Sequence, residues 1–264
     1  MSIRSIDQLG REVLLEDYPK RIISLVPSQT ELLFELGLAD QLIGRTKFCI
    51  HPSNSVTQIP SIGGTKKVRI DEVRSLKPDL IIVNKEENEK DQIDELSTEF
   101  KVWVSDISDF NSALKMIHLV GHITDTERKA EDMITQIKKI AEMPASKEIP
   151  TAVYLIWKKP MMTVGGDTFI SDMIGKAGFS NVYKSFKRYP EISMDEIKEK
   201  QPDYLFLSSE PFPFNSKHIE EFQRNLDHTK VVLVDGEMFS WYGSRMLKAF
   251  SYFKELRKEL DLLD

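Results

Sequence analysis

The chain has 264 residues, 30% of them charged and 41% apolar, with a formal net charge of −6, the balance of an ordinary soluble globular protein large enough for two lobes. The acidic balance argues against nucleic acid as a partner, since phosphate binding needs a basic face, and a single cysteine, Cys49, excludes an internal disulfide. No run approaches the roughly 20 apolar residues that span a bilayer, and the opening MSIRSIDQLGREVLLEDYPKRI carries no signal-type apolar core.

In chain order, the first predicted strand is RIISLV, residues 21–26, stopped by Pro27. Ser28 with Glu31 three residues later has the spacing of a capping box, so a helix is expected from Ser28 through Leu32, Leu33 and Leu36 to Gly37. A short strand follows at residues 42–44, with the exit loop RTKFCIHP, and Ile62-Gly63-Gly64-Thr65 leads to a helix and the apolar strand Leu80 to Val83. Lys101 to Val104 reads as another strand. From Phe110 to Met143 the apolar residues switch to helical spacing, with a fresh start at Thr124-Asp125-Thr126-Glu127, so two successive helices are expected. The segment from Pro144 to Pro150 then returns the chain to a strand at Ala152 to Trp157. Gly165-Gly166-Asp167-Thr168 opens a helix ended by Gly178, and a strand at Val231 to Val234 precedes a final helix from Tyr242 to Leu260. Strands alternating with helices predict parallel α/β layers.

One stretch occurs twice. DEVRSLKPDLIIVNKE at 71–86 and DEIKEKQPDYLFLSSE at 195–210 share Asp71/Asp195, Glu72/Glu196, Pro78/Pro202, Asp79/Asp203 and Glu86/Glu210. Each copy is a short helix opened by acids, a Pro-Asp breaker, a buried strand and an acid at the strand's end. The spacing of 124 residues is far too long for a solenoid, so the repeat means two similar lobes. The expected organisation is an N-terminal α/β lobe over residues 1–122, a connecting helix and linker over 123–149, and a C-terminal α/β lobe over 150–264.

The runs RIISLVPSQTELLFELG, IDEVRSLKPDLII and MDEIKEKQPDYLFL, with the mid-chain helix between them, resemble a class III substrate-binding protein of ABC importers. That family receives cobalamin, haem and ferric siderophores. FCIHP, IGGTKK and NKEENEKD most resemble its cobalamin-binding branch. The resemblance implies two lobes with parallel sheets joined by a long rigid helix, a ligand cleft between the lobes, and a monomeric receptor that delivers its ligand to a permease dimer. It also implies periplasmic residence; with no leader in the chain as read, a cytoplasmic location stays open. Asp71 and Asp195 stand where the family places a permease-docking glutamate in each lobe, with Glu72 and Glu196 beside them. From the residues alone, an aspartate at a helix start caps backbone N–H groups instead, and both roles remain open.

The loops expected to face the cleft carry Gln29, Arg45, Phe48, His51, Thr65, Lys66, Glu86 and Glu87 in the first lobe. Those of the second carry Trp157, Tyr189, Glu210, Phe212, Phe214, Trp241 and Tyr242. A flat amphiphilic metal chelate needs apolar faces to lie against and hydrogen-bonding groups at its rim. Trp157, Trp241 and Tyr242, each just past a strand, are expected to be exposed to it. Phe212 and Phe214, flanked by prolines, are expected to point outward. Cys49 and His51 are metal-competent side chains, but no HxxxH or CxxC spacing includes either. They read as a buried thiol beside a loop histidine, with His51 the one candidate for touching a ligand-borne metal. His118 and His122, four apart on one helical face, read as a partly solvated pair. Gly63-Gly64 and Gly165-Gly166 match no nucleotide loop and read as tight turns that let backbone approach the cleft.

No GxSxG and no marked acid–base pair is present. The expectation is a receptor rather than an enzyme, with no intrinsic cofactor, taking cobalamin or a related tetrapyrrole first and a ferric siderophore second. Two alternatives are a two-lobed tetrapyrrole chelatase using His51 with Glu86 or Glu210, and a cytosolic ligand-binding relative without a transporter.

Overall fold

The computed structural model describes residues 2–142 and 149–262. They form two compact units. Unit 1 comprises residues up to Ile107, Asn111–Ile137 and Tyr242–Arg245; unit 2 comprises Ser108–Phe110, Lys138 to Trp241, and Met246 onward. Residues 143–148, where the helix was expected to reach Met143 and the linker to begin at Pro144, lie outside the described residues.

Unit 1 begins with an antiparallel pair, β1 (Ile3–Ile6) and β2 (Glu12–Leu15), that the sequence pattern did not announce. Each strand has four residues, too few for alternation to stand out. The turn between them is closed by Asp7, whose buried carboxylate accepts the Leu9 and Arg11 N–H groups and pairs with the Arg11 guanidinium at 2.8 Å. RIISLV is therefore the third strand, β3 (Ile22–Ser24), with β4 (Leu42–Arg45), β5 (Leu80–Asn84) and β6 (Val102–Ser105) in a parallel sheet ordered β4-β3-β5-β6. Helices α1 (Pro27–Glu35), α2 (Ser53–Val56), α3 (Ile70–Leu76) and α4 (Lys90–Glu99) connect these strands. Ile23, Leu25, Val73, Ile81, Val83 and Leu96 are fully buried in one core.

Ser28 is not the cap of α1. Val26 holds that position in extended backbone without a side-chain cap, and Pro27 fills the first helical turn, where its fixed φ and missing N–H cost nothing.

The mid-chain apolar run is two helices of fourteen residues, α5 (Phe110–Ile123) and α6 (Glu127–Ile140), with Asp125 at φ 58° in the turn between them. His118 and His122 bind across that turn, to Glu131 and Glu127, each at 2.5 Å. The second ring nitrogen of His122 reaches the Arg4 carbonyl at 3.2 Å.

Unit 2 repeats the plan. Its strands β7 (Thr151–Leu155), β8 (Ser180–Asn181), β9 (Tyr204–Ser208) and β10 (Lys230–Val234) form a parallel sheet ordered β10-β9-β7-β8. The helices are α7 (Phe169–Lys176), α8 (Met194–Lys200), α9 (Ser216–Gln223), α10 (Gly236–Ser240) and α11 (Met246–Glu259). The last begins four residues later than expected, because Gly243 at φ 88° and a short 3₁₀ turn occupy 243–245. Matching β3 to β7, β4 to β8, β5 to β9 and β6 to β10 gives the same strand order in both sheets.

The duplicated Pro-Asp has a shared physical task. Lys77 and Gln201, 124 residues apart, both end their helices in left-handed backbone, at φ 47° and 43°. The next-but-one aspartate then pins the neighbouring strand. Asp79 accepts the Lys20 and Arg21 N–H groups at 2.8 and 3.0 Å; Asp203 accepts the Thr151 N–H and hydroxyl at 2.7 and 2.6 Å. The Thr151 hydrogen bonds hold the Asp203 carboxyl below its ordinary value.

Asp79→Ala and Asp203→Ala should each destabilise the protein by about 1 kcal/mol in urea unfolding. The Asp203 contribution should be present above pH 3.8, the ordinary value, and disappear as pH falls through the lower folded value. Glu127 raises the His122 pKa above its ordinary 6.5. That contribution is therefore complete below pH 6.5 and is lost as pH rises through the folded value. A His122→Gln variant should flatten this part of the pH–stability profile.

Candidate functional site

In a parallel sheet every carboxyl end lies at one edge, and side chains presented there come from the strand-exit loops. In unit 1 much of this edge is an internal polar network. Thr30 Oγ1 lies 2.8 Å from Ser24 Oγ and 3.1 Å from the Cys49 sulfur, and Thr46 lies 3.2 Å from the same sulfur. Burial pushes the Cys49 thiol up, so it stays protonated and structural. Gln29 is buried within α1 rather than set on a loop; its amide donates to Ser105 Oγ, which also takes the Asn84 amide at 3.0 Å. Arg45 braces the exit of β4 by donating to the carbonyls of Thr46, Val56 and Ile59.

Beyond that network the groups are more open. Phe48 and Ile50 are each 49% exposed, with Lys47 Nζ 5.0 Å from the Phe48 ring centre, and His51 is half-buried. Lys66 donates to the Glu86 carbonyl and lies 3.3 Å from Glu89; the carbonyl of Thr65 takes the Asn88 amide. Asn84 Oδ1 accepts the N–H groups of Glu86 and Glu87 and so sets the turn after β5. Glu87 accepts the Tyr242 hydroxyl at 2.9 Å. Burial, with the Glu87 charge beside it, drives the Tyr242 pKa far up, so the phenol stays neutral and donating.

Unit 2 has a parallel arrangement. Glu210, after β9, accepts the Ser240 hydroxyl at 2.6 Å and the Trp241 indole N–H at 2.9 Å. Burial raises its pKa, and Glu237 and Asp235 add to the rise. Trp241 and Tyr242 are consequently buried, at 8% and 5% exposure, against the expectation that both would be open. Their polar tips are turned inward onto carboxylates. Phe214 is also buried, packed edge-on to Phe222 at 6.1 Å, against the expectation that it would point outward. Phe212 is half-buried and meets the Trp157 ring edge-on at 5.6 Å. Trp157 alone of the three favoured aromatics is exposed, at 39%, its indole N–H on the Lys159 carbonyl. Half-buried Tyr189 lies under Arg188 at 5.4 Å. Exposed Phe186, at 45%, was not singled out in the sequence; its signal is the basic-aromatic run KSFKRYP.

A match to the periplasmic binding protein family covers residues 22–229. The chain belongs to that family. It is 25% identical over 266 aligned residues to the Bacillus subtilis ABC-transporter substrate-binding lipoprotein YvrC, covering 94% of this chain and 83% of that one. Among solved structures it is similar to the periplasmic vitamin B12 binding protein BtuF of Vibrio cholerae, with a TM-score of 0.77 and 23% identity over 91% of this chain and 98% of that one. It is likewise similar to the haem-binding protein HutB of Vibrio cholerae, with a TM-score of 0.75 and 24% identity over 89% and 98%.

One further expectation is corrected for this family member. The N-caps of α3 and α8 are Arg69 and Ser193, so Asp71 and Asp195 are not capping residues. Each is the second residue of its helix, where a negative charge still favours the dipole. The cap of α8 is a full box between Ser193 and Glu196. Asp71 is 96% exposed at its side chain and touches Arg74 at 3.0 Å, while Glu72 is tied to Arg69. The pair Gly165-Gly166 admits the close approach of the segment that follows β8. A Cβ there would stand 2.5 Å from the Phe186 carbonyl and 2.0 Å from that of Lys184. Among the described residues, no group of three or more metal-ligating side chains converges, and no helix is long and apolar enough to cross a membrane.

Phe214→Ala should cost about 3 kcal/mol in urea unfolding, as a core cavity does, whereas Trp157→Ala should cost less than about 1 kcal/mol. Equal costs would mean that Trp157 is a core residue.

Proposed function

We propose that the protein is the substrate-binding receptor of an ABC importer, for a metal-containing ligand: cobalamin or a related tetrapyrrole first, a ferric siderophore second. The observation that carries the reading is the family match running through both copies of the repeat. Relatives described as vitamin B12-binding and haem-binding supply the ligand class. Description of a relative as a lipoprotein supports work outside the inner membrane, as a receptor handing ligand to a permease. The fixed carboxylates support binding rather than catalysis: Glu87 and Glu210 each hold an aromatic side chain in place.

Within this reading Phe48, His51, Thr65, Lys66, Glu86, Trp157, Tyr189 and Phe212 contact the ligand. Gln29, Arg45, Glu87, Glu210, Phe214, Trp241 and Tyr242 hold the loops that present them. Asp71, Glu72, Asp195 and Glu196 form the permease-docking acids, Asp71 and Asp195 being exposed at the start of corresponding helices.

Titration with hydroxocobalamin, haemin and a ferric siderophore should quench tryptophan fluorescence with a dissociation constant near micromolar, about 8 kcal/mol of binding. Trp157→Phe should remove much of the signal. Absence of binding by all three up to about millimolar, where only about 4 kcal/mol is at stake, would reject the receptor.

Combining Asp71→Asn, Glu72→Gln, Asp195→Asn and Glu196→Gln should weaken transport while leaving ligand affinity unchanged, since rim charges act mainly on association. Gln at 196 preserves the capping box, so stability serves as the control. Transport equal to the parent's rules the docking role out.

A further inference from the structure

Helix α9 opens with a capping box whose third helical residue is a histidine. The Asn215 side chain accepts the Lys217 N–H at 3.2 Å, and the His218 ring accepts the Asn215 N–H at Nδ1, 3.1 Å away. A glutamate or glutamine ordinarily fills that place, and neither loses its acceptor near neutral pH. An imidazole accepts only while it is neutral, with its one proton on the other nitrogen; both nitrogens of an imidazolium donate. Histidine is the side chain whose charge ordinarily changes between about pH 5 and about pH 8.

The same ring packs against the loop that leads into the helix. It stands edge-on to Phe212 at 5.6 Å and to Phe214 at 5.4 Å, and those two rings lie 4.6 Å apart. Phe214 is seated in the core. Phe212 meets Trp157 edge-on at 5.6 Å, and its N–H donates to the Ile156 carbonyl at 3.3 Å. All of these residues belong to unit 2. One line of contacts therefore runs from the acceptor nitrogen of His218 through Phe212 to the exposed Trp157.

The charges around the ring do little to hold an imidazolium in that place. Glu221, three residues further along α9, is paired with Lys158 at 2.7 Å, and Lys159 acts on the same carboxylate. Glu220 lies 3.9 Å from Arg224, and Lys217 precedes the histidine. His218 is only half-buried, so protons reach it from solvent. At the far end of the loop Glu210 accepts from Ser240 and Trp241, and burial raises its pKa, so a second group there takes up a proton as acid is added.

We propose that His218 is a positioning residue for the aromatic surface of unit 2: neutral, it closes the α9 cap and holds Phe212 against Trp157; protonated, it opens the cap and frees the pair. A protonated Nδ1 sets one donor against another at the Asn215 N–H, so the ring and the loop must part for that N–H to find water. The consequence for binding rests on the receptor reading, in which Trp157 and Phe212 contact the ligand. Affinity then falls in acid through a residue that touches no ligand.

The decisive test needs no ligand. In the full chain labelled with fluorotryptophan, fluorine NMR gives one resonance for each of the three tryptophans, and Trp157→Phe assigns that of Trp157. Between about pH 8 and about pH 5 the Trp157 resonance should move. That of Trp103, wholly buried in unit 1, should stay and show the fold intact. His218→Gln supplies an acceptor that does not titrate and should keep the Trp157 resonance near the parent's alkaline position throughout. His218→Leu, with no acceptor, should keep it away from that position at every pH. The inference is overturned if the parent's Trp157 resonance stays put, or if it moves equally in His218→Gln, which would assign the change to Glu210. Hydroxocobalamin affinity should fall at least about threefold more in the parent than in His218→Gln over the same pH range; an equal fall would overturn the positioning role. Absence of hydroxocobalamin binding would bear on the receptor reading, while the resonances still decide the inference.

Discussion

The carboxylates of Asp79 and Asp203 fix the amino-terminal edge of each sheet, and the rest of each unit is arranged from that edge. Each carboxylate takes hydrogen bonds from the first residues of the neighbouring strand, so two parallel strands start in register: Ile22 opposite Leu80, Ala152 opposite Tyr204. A parallel pair has no hairpin to set its register, since its strands are joined through a helix. A side chain at the strand entrance performs that task here. Once the entrances are level, the strand exits come out at the opposite edge, and the loops there are the place where chemistry is presented.

At that opposite edge the two units use one electrostatic device in different residues. A carboxylate just past the strand accepts from the polar tip of an aromatic: Glu210 from Trp241, Glu87 from Tyr242. Burial of a carboxylate is unfavourable unless hydrogen bonds compensate it. Desolvation raises the Glu210 pKa, and the hydrogen bonds from Ser240 and Trp241 oppose that rise. Such groups hold geometry, which is what a binding protein with separate exposed contact residues requires. Phe48, Trp157 and Phe186 are exposed past strand ends, the loop of Phe48 braced by Arg45 and that of Phe186 by backbone hydrogen bonds from Gly165 and Gly166.

Much of the α/β plan was readable because strands buried on both faces are continuous apolar runs, as in Leu80 to Val83 and Leu205 to Leu207, and because Gly and Pro punctuate the chain between them. β1 and β2 carry no such signature, since a four-residue half-buried strand leaves two inward side chains, too few for a period. Site residues were harder. Trp157 and Phe214 each follow a strand and are both large and aromatic, yet one is 39% and the other 4% exposed. Proximity to a strand end says which edge a residue occupies but not whether its ring turns towards solvent.

By itself the sequence determined the repeat, the alternation of strand and helix, the corresponding strand-end positions and the family resemblance, because these are written in local periodicity and in residue types at fixed spacing. Only the tertiary structure decided the direction of each side chain. Trp241 and Tyr242 point inward because acids 31 and 155 residues away accept their donors. Asp79 became a strand anchor because Arg21, 58 residues earlier, immediately precedes the neighbouring strand. Ser28 lost its capping role because Pro27 could take the first turn of the helix. Contacts at such separations depend on which strands become neighbours, and that order is set by packing of the whole sheet rather than by any one stretch of chain.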